Sequence, residues 1–455
     1  MSETTTADAP GSTKLKRGIT TILLFFFIVG DTLGAGIYTL VGTMAGDVGG
    51  ALWVPLGLAL VLALLTAGTY AELITKYPHA GGAARFAERA FDKPFVTFLI
   101  GFLMLSSGIT TSAALANAFA GDYLQELVPG ISPIPVTLVF IALLIAVNLR
   151  GVRESLIANV GATLIEMTGL IIIIAVAAIV IGGGGGDLSR LTTFSPDVPP
   201  LTGAFAATIT AFFSFLGFEA AANMAEEVKD PSRSYPRALF GAILTAAVVY
   251  MLIALGAAAV VPTEQLATSE GPLLEVIQAS GLAFPGWLFA IIALVAIGNG
   301  ALLFMVMASR ATYGLAEAKL LPRAFGAVLS VRRTPWVAIL VVGAVTMVMS
   351  FIGDVGTLAD TTVLLLVLVF ISANVSVLVL KKDHVAHKHF SVPRIVPVLA
   401  LVASIGLLTQ QTAQTWLISA GYVVVGSILF LIARLARRRA IQRGTNEPTR
   451  AIPLE

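Results

Sequence analysis

The 455-residue chain has no cysteine, only four histidines, and charge on just 12% of its residues. A soluble domain carries about 25% charged residues, so water is not this chain's main solvent. Without cysteine there are no disulfides, thiolate metal sites or thiol lipidation, and the compartment is left open. No phosphate-cradling P-loop, zinc signature or nucleophile elbow occurs, which removes support for ATP-driven work and hydrolase chemistry. The imidazoles are His79 and a cluster at His384, His387 and His389 beside Lys381, Lys382 and Asp383. That cluster reads as a solvated loop in preference to a metal site. No catalytic constellation, cofactor or metal is expected, and with a formal net charge of +2 no nucleic-acid partner is needed.

Apolar residues, by contrast, make up 57% of the chain. A bilayer core of about 30 Å takes about 20 consecutive apolar residues per helix, and such runs follow one another from Ile19 to Leu435. Backbone groups in lipid must be satisfied internally, which permits helices or a closed barrel. Runs such as Leu156 to Ile181 lack the alternation of barrel strands, leaving an all-α membrane protein. About twelve transmembrane helices are expected, near 19–44, 49–75, 95–124, 132–149, 155–182, 203–228, 237–262, 284–310, 335–353, 357–380, 393–411 and 416–436.

With both termini in the cytoplasm, every basic residue but Arg190 falls on the inner side, as the positive-inside rule requires. The protein is therefore expected to be multi-pass in the plasma membrane. Residues 1–18 read as a disordered cytoplasmic tail, not a signal peptide, and 437–455 as a basic cytoplasmic tail. The basic run from Arg434 to Arg439 suits an anionic lipid surface.

Two spans carry matching interruptions. The first reads Val29-Gly30-Asp31-Thr32-Leu33-Gly34-Ala35-Gly36-Ile37-Tyr38, and the sixth Phe213-Ser214-Phe215-Leu216-Gly217-Phe218-Glu219. Each glycine costs a helix roughly 1 kcal/mol relative to alanine, so these stretches are expected to unwind. Paired breaks in two halves point to an inverted-repeat transporter with its substrate near the bilayer midplane. Freed N–H groups near Leu33, Gly34, Ala35, Gly36 and Ile37 would hold a carboxylate at a positive dipole end. Carbonyls at Phe213, Ser214 and Leu216 would take an ammonium group. The plainer reading is close helix packing by small residues; it is preferred for Gly30 alone, and the site is preferred for the paired cluster.

Gly-Ala-Gly-Ile-Tyr at 34–38, Gly-Phe-Glu at 217–219 and Ala-Glu-Glu-Val-Lys-Asp-Pro at 225–231 resemble the amino acid–polyamine–organocation superfamily. Tyr70-Ala71-Glu72-Leu73, Pro78-His79-Ala80-Gly81-Gly82 and Arg332-Arg333-Thr334-Pro335 extend the likeness to cationic amino acid transporter-like bacterial permeases. The resemblance implies a leucine-transporter-like 5+5 inverted repeat with helices 1 and 6 broken. Residues 19–182 would form the first repeat, 203–380 the second, and 393–436 two peripheral spans. It carries carboxylate binding onto Gly34, Ala35 and Gly36, and amine binding onto Phe213, Ser214 and Leu216. Phe213 stands where family members often close an aromatic ring over the substrate, and loop 76–94 resembles an inner gate.

Span five carries Asn159, Thr163 and Glu166 along one helical face. An acid at helix centre costs roughly 2.5–3.5 kcal/mol, so Glu166 is expected to hold a partner, a proton or a cation. Some proton-coupled relatives have lysine at that position. Asp31 and Glu166 are read as a coupling pair that shares a proton, with a structural, permanently protonated acid as the alternative. Glu219 is placed with them, in coupling, substrate binding or backbone support. Phe215, Phe218 and Asn299 are expected at the pocket or gate. The coupling ion is expected to be a proton, with sodium less favoured because 298–307 offers only Asn299 toward a hard-cation shell. The expected activity is secondary active transport of an amino acid by uptake or exchange. A polyamine transporter and a non-transporting amino acid sensor are the alternatives.

Overall fold

The computed structural model describes residues 19–442, except 79–81, 151, 197, 330, 331 and 333. The tail 1–18 and residues 443–455 lie outside the described residues, as do Arg333 and the His79-Ala80-Gly81 part of the resemblance. The helices in chain order are α1 (Thr21–Thr32), α2 (Ala35–Val48), α3 (Trp53–Lys76), α4 (Gly82–Phe91) and α5 (Pro94–Phe119). Then come α6 (Asp122–Leu127), α7 (Pro133–Arg150), α8 (Val152–Gly182), α9 (Pro200–Ser214), α10 (Pro231–Val260), α11 (Thr263–Thr268) and α12 (Pro272–Ala279). The last are α13 (Gly286–Glu317), α14 (Trp336–Met349), α15 (Val355–Leu380), α16 (Ile395–Thr409) and α17 (Ala413–Gln442). Helix α17 thus continues into residues 437–442, which the sequence assigned to a tail.

Nine helical stretches among the described residues are long and apolar enough to cross a membrane, and α9, α14 and α16 are shorter apolar helices. At 1.5 Å per residue those three reach only about 21–23 Å, short of the hydrocarbon thickness. Chain chemistry sets many of the ends. Proline opens α5, α9 and α10, where its missing N–H would have had no helical partner. Asp354 caps α15 by accepting from the Thr357 N–H at 2.7 Å.

The bundle is organised around α5, whose apolar stretch is 94% buried, against 28% for the stretches in α7 and α17. Small residues permit this: at Gly108 a Cβ would come within 3.0 Å of the Phe304 carbonyl of α13. The outer surface stays apolar, with Val61, Leu164, Ile171, Val248 and Leu417 all largely exposed, as lipid contact demands.

At one end of the bundle the segment after α15 grips the end of α3. Lys381 donates to both Glu72 carboxylate oxygens, at 2.7 and 2.5 Å, and to the Val392 carbonyl at 2.6 Å. The Val392 N–H completes the Glu72 shell at 2.8 Å. Lys76 donates to the Leu380 carbonyl. Asp383 accepts from the Tyr77 hydroxyl and from Arg89 of α4, and these donors, Tyr77 first, hold its carboxyl below the usual range. His387, expected in a solvated loop, lies 3.0 Å from the Thr75 carbonyl. The start of α1 meets the chain around the start of α10 at this end too: the Lys229 N–H donates to the Ile19 carbonyl, and Thr21 donates to Ser234.

Glu72 is 2% exposed, so removing its counter-charge strands a buried carboxylate. Lys381→Met should cost about 3 kcal/mol of stability. Glu72→Gln combined with Lys381→Met should restore most of it; thermal unfolding of the purified variants measures both.

Candidate functional site

The first interruption is narrower than its glycines suggest. Helix α1 runs to Thr32, the Leu33 N–H closes it onto the Val29 carbonyl at 2.7 Å, and α2 begins at Ala35. Gly30 therefore stays helical. A Cβ there would come within 2.9 Å of Thr163, so this glycine lets α8 approach α1. Gly34 precedes α2 without any side-chain cap, so the first N–H groups of α2 keep their positive end open. Gly34, Ala35 and Gly36 line a cavity; Leu33 and Ile37, expected beside them, are buried outside its lining.

The second interruption begins after Ser214, where α9 gives way to turns over 215–219 and then to a 3₁₀-helix, Ala220–Glu227. A second α-helical half was expected; the chain instead continues in the tighter coil. Gly217 makes the reversal at φ +117°, a conformation open to glycine, and its Cα lies against the Asp31 backbone. A Cβ at Gly217 would stand 2.8 Å from the Asp31 carbonyl oxygen. One at Gly36 would stand 3.0 Å from the Ser214 Cα. The two broken segments thus touch twice, backbone against backbone.

Phe213, Ser214 and Leu216 face the cavity from the second break. Their carbonyls are not all free. The Phe213 carbonyl accepts from the Leu216 N–H at 3.1 Å. The Ser214 carbonyl accepts from the Tyr250 hydroxyl of α10 at 2.8 Å, and that hydroxyl also reaches the Thr32 carbonyl. Tyr250 therefore joins the two breaks, and a carbonyl's second lone pair is what remains for a ligand. Phe215 and Phe218, expected at the pocket, point elsewhere. Phe215 packs edge-on against Tyr250, and Phe218 stacks on Phe370 and meets Tyr70. Helix α9 ends at Ser214, and the turns over 215–219 carry Phe215 and Phe218 away from Phe213.

The scaffold wall comes from α5 and α13 through Leu115, Asn299, Gly300, Leu303 and Phe304. Gly300 is the close approach here, since a Cβ would come within 3.1 Å of Leu115. Asn299 donates to Asn159 of α8 at 2.8 Å, so part of its hydrogen-bonding capacity is spent on the wall itself. The polar stripe of α8 is buried along its length: Asn159 meets Asn299, Thr163 meets Gly30, and Glu166 enters the cavity.

Asp31 and Glu166 both line the cavity, and neither Glu166 oxygen has a protein hydrogen-bond partner. Asp31 stands within electrostatic reach of Glu166 on one side and Glu219 on the other. Glu219 lies outside the lining and accepts from the Gly217 N–H at 2.9 Å. The lining contains no basic side chain among the described residues, while Thr32 and Ser214 add unpartnered hydroxyls. The cavity volume is about 20 Å³, room for about one water molecule, so a larger ligand enters only if the walls part. It offers one group of N–H donors and several oxygen acceptors. Tyr38, whose hydroxyl donates to the Glu166 carbonyl at 2.7 Å, and Tyr250 were not singled out from the sequence. Their one signal was a polar tip on an aromatic body at mid-span.

The family model described as amino acid permease matches residues 19–435. The methylthioribose transporter of Bacillus subtilis (strain 168) is 26% identical over 444 residues, 92% of this chain and 94% of that protein. The chloroplastic cationic amino acid transporter 9 of Arabidopsis thaliana is 29% identical over 350 residues, 71% of this chain and 59% of that one. The vacuolar cationic amino acid transporter 4 of the same plant is 28% identical over 394 residues, 82% and 64% respectively. The relatives are named as transporters, not enzymes.

Gly217→Ala should lower stability by about 1–3 kcal/mol, combining a strained φ with the Asp31 clash. Gly57→Ala, with open space around it in α3, should be neutral or slightly stabilising in the same thermal unfolding experiment.

Proposed function

The chain belongs to the amino acid permease family, a membrane transporter family, and on that premise we propose that it moves an amino acid across the plasma membrane by alternating access. The observation that carries this reading is the contact of two interrupted segments across one cavity, Gly36 against Ser214 and Gly217 against Asp31. The N–H groups opening α2 receive the substrate carboxylate, with Gly34, Ala35 and Gly36 allowing close approach. The carbonyls at Phe213, Ser214 and Leu216, with the Ser214 hydroxyl, receive the ammonium. Rocking of the two broken segments against the wall of α5 and α13 then exposes the cavity to each side in turn.

Asp31 and Glu166 form the coupling site, and the ion is a proton, or the energy comes from exchange. A polyamine is the second reading, favoured by the two carboxylates and the absence of a basic residue in the lining. It leaves the α2 amides without an anion, so the amino acid is preferred.

We also place both termini in the cytoplasm, with α9, α14 and α16 completing twelve crossings and two inverted repeats of five. Under this arrangement the Lys381–Glu72 grip is cytoplasmic and Arg190 is outside.

Three measurements test the reading. In a thermal-shift screen, an amino acid at 100 times its Kd should stabilise the protein by about 2.7 kcal/mol. Stabilisation by polyamines alone would overturn the amino acid in favour of the second reading. In proteoliposomes, Glu166→Gln should flatten the pH dependence of uptake, and choline in place of sodium should leave uptake unchanged; an unaltered pH profile removes Glu166 from coupling. Because the chain has no cysteine, Asp187→Cys should be labelled from outside whole cells by an impermeant maleimide, and His384→Cys should not.

A further inference from the structure

Beyond the second break, three polar atoms lie away from both the cavity lining and solvent. They are the Tyr70 hydroxyl of α3, the Tyr235 hydroxyl of α10 and Glu219 Oε1, none with a protein hydrogen-bond partner. Both phenols are 0% exposed and Glu219 is 1% exposed. Their positions converge. The Tyr70 ring meets Phe218 edge-on with centroids 6.0 Å apart, which sets α3 against the residue preceding Glu219. Each phenol stands within electrostatic reach of Glu219, and Tyr70 within reach of Tyr235. The other carboxylate oxygen is fixed by the Gly217 N–H, so the Glu219 carboxyl is held by one edge and presents Oε1 on the other.

Buried polar groups in proteins are almost always hydrogen-bonded, and a buried water makes about three bonds to groups that otherwise lack partners. Two O–H donors and one carboxylate acceptor form that partner set. We propose that Tyr70, Tyr235 and Glu219 form a binding site for one trapped water molecule, which accepts from both phenols and donates to Glu219 Oε1. A hard cation fits poorly, since it takes six or more oxygens and three are on hand.

The site ties the second break to α3 and α10. Tyr235 lies four residues into α10 from Pro231, and Tyr70 six residues before Lys76. At the helical rise these are roughly 6 Å from the start of α10 and 9 Å from the end of α3, and Glu72, which Lys381 grips, is two residues on from Tyr70. Glu219 then has a neighbour on each side, Asp31 toward the cavity and the water toward that end. The two tyrosines are positioning residues, and the site does not depend on which substrate the cavity takes.

Tyr70→Phe, Tyr235→Phe and the double variant delete the hydroxyls and keep the rings. In thermal unfolding of the purified, substrate-free protein, each single variant should lower Tm by about 1–3 °C. The double variant should fall by less than the sum, because both hydroxyls bind the same molecule. A Tm that stays or rises in the single variants identifies true orphans and overturns the site, as does strict additivity. The infrared carboxyl band that disappears in Glu219→Gln should shift in both phenylalanine variants, and an unshifted band overturns the bond to Oε1. A sodium-against-choline difference in Tm that vanishes in these variants would assign the position to a cation and overturn the water.

Discussion

Within a hydrocarbon layer a peptide group that leaves its helix must find another partner, and the architecture is arranged around two places where this happens. At Leu33–Gly34 and over 215–219 the chain leaves regular α-helix, and the released groups are shared out. Some are closed locally, as where Leu33 bonds to Val29 and Leu216 to Phe213. Some are closed from outside by Tyr250, which serves both segments with one hydroxyl. The side-chain oxygens of Thr32, Ser214 and Glu166 that have no protein partner belong to residues lining one cavity. The polar lining of the cavity is thus the remainder of a hydrogen-bond account that lipid forces the chain to settle almost completely.

The electrostatics follow from the same arrangement. Asp31 lies in the last turn of α1 just before the first interruption, Glu219 in the segment that reverses, and Glu166 in the wall they pack against. Close backbone contact at Gly217 and Gly36 brings the three acids into one field with no basic side chain in the lining. A second, separate charge system lies at the bundle end, where Glu72 has its full complement of donors. The contrast is physical: the satisfied acid fixes helices together, while Glu166 and one oxygen of Glu219 have no protein partner.

The broad fold and the general position of the site were legible because they depend on local sequence. Long apolar runs specify membrane helices, and glycine beside an intramembrane acid marks where a helix is weakest. The details were less legible where they depend on distant partners. Gly30, for which the sequence alone favours close packing, is on an intact helix, but that its neighbour is Thr163 of α8 shows only in three dimensions. Phe215 and Phe218 follow Phe213 in sequence, yet the end of α9 at Ser214 and the turns after it give them other neighbours. Tyr250 and Thr32 lie 218 residues apart, and Lys381 and Glu72 lie 309 apart, separations across which no pattern in one sequence carries information.

The tighter coil beyond the second break has a consequence for reach. Eight residues from Ala220 to Glu227 extend about 16 Å at the 3₁₀ rise of 2.0 Å, against about 12 Å as α-helix. Rewinding that stretch would shorten it by about 4 Å and draw Val228 toward the middle of the bundle. Because Val228 is paired with Ile19 at the start of α1, the first segment would be pulled along its axis as well. A change of winding in one short stretch is therefore geared to a displacement of both interrupted segments.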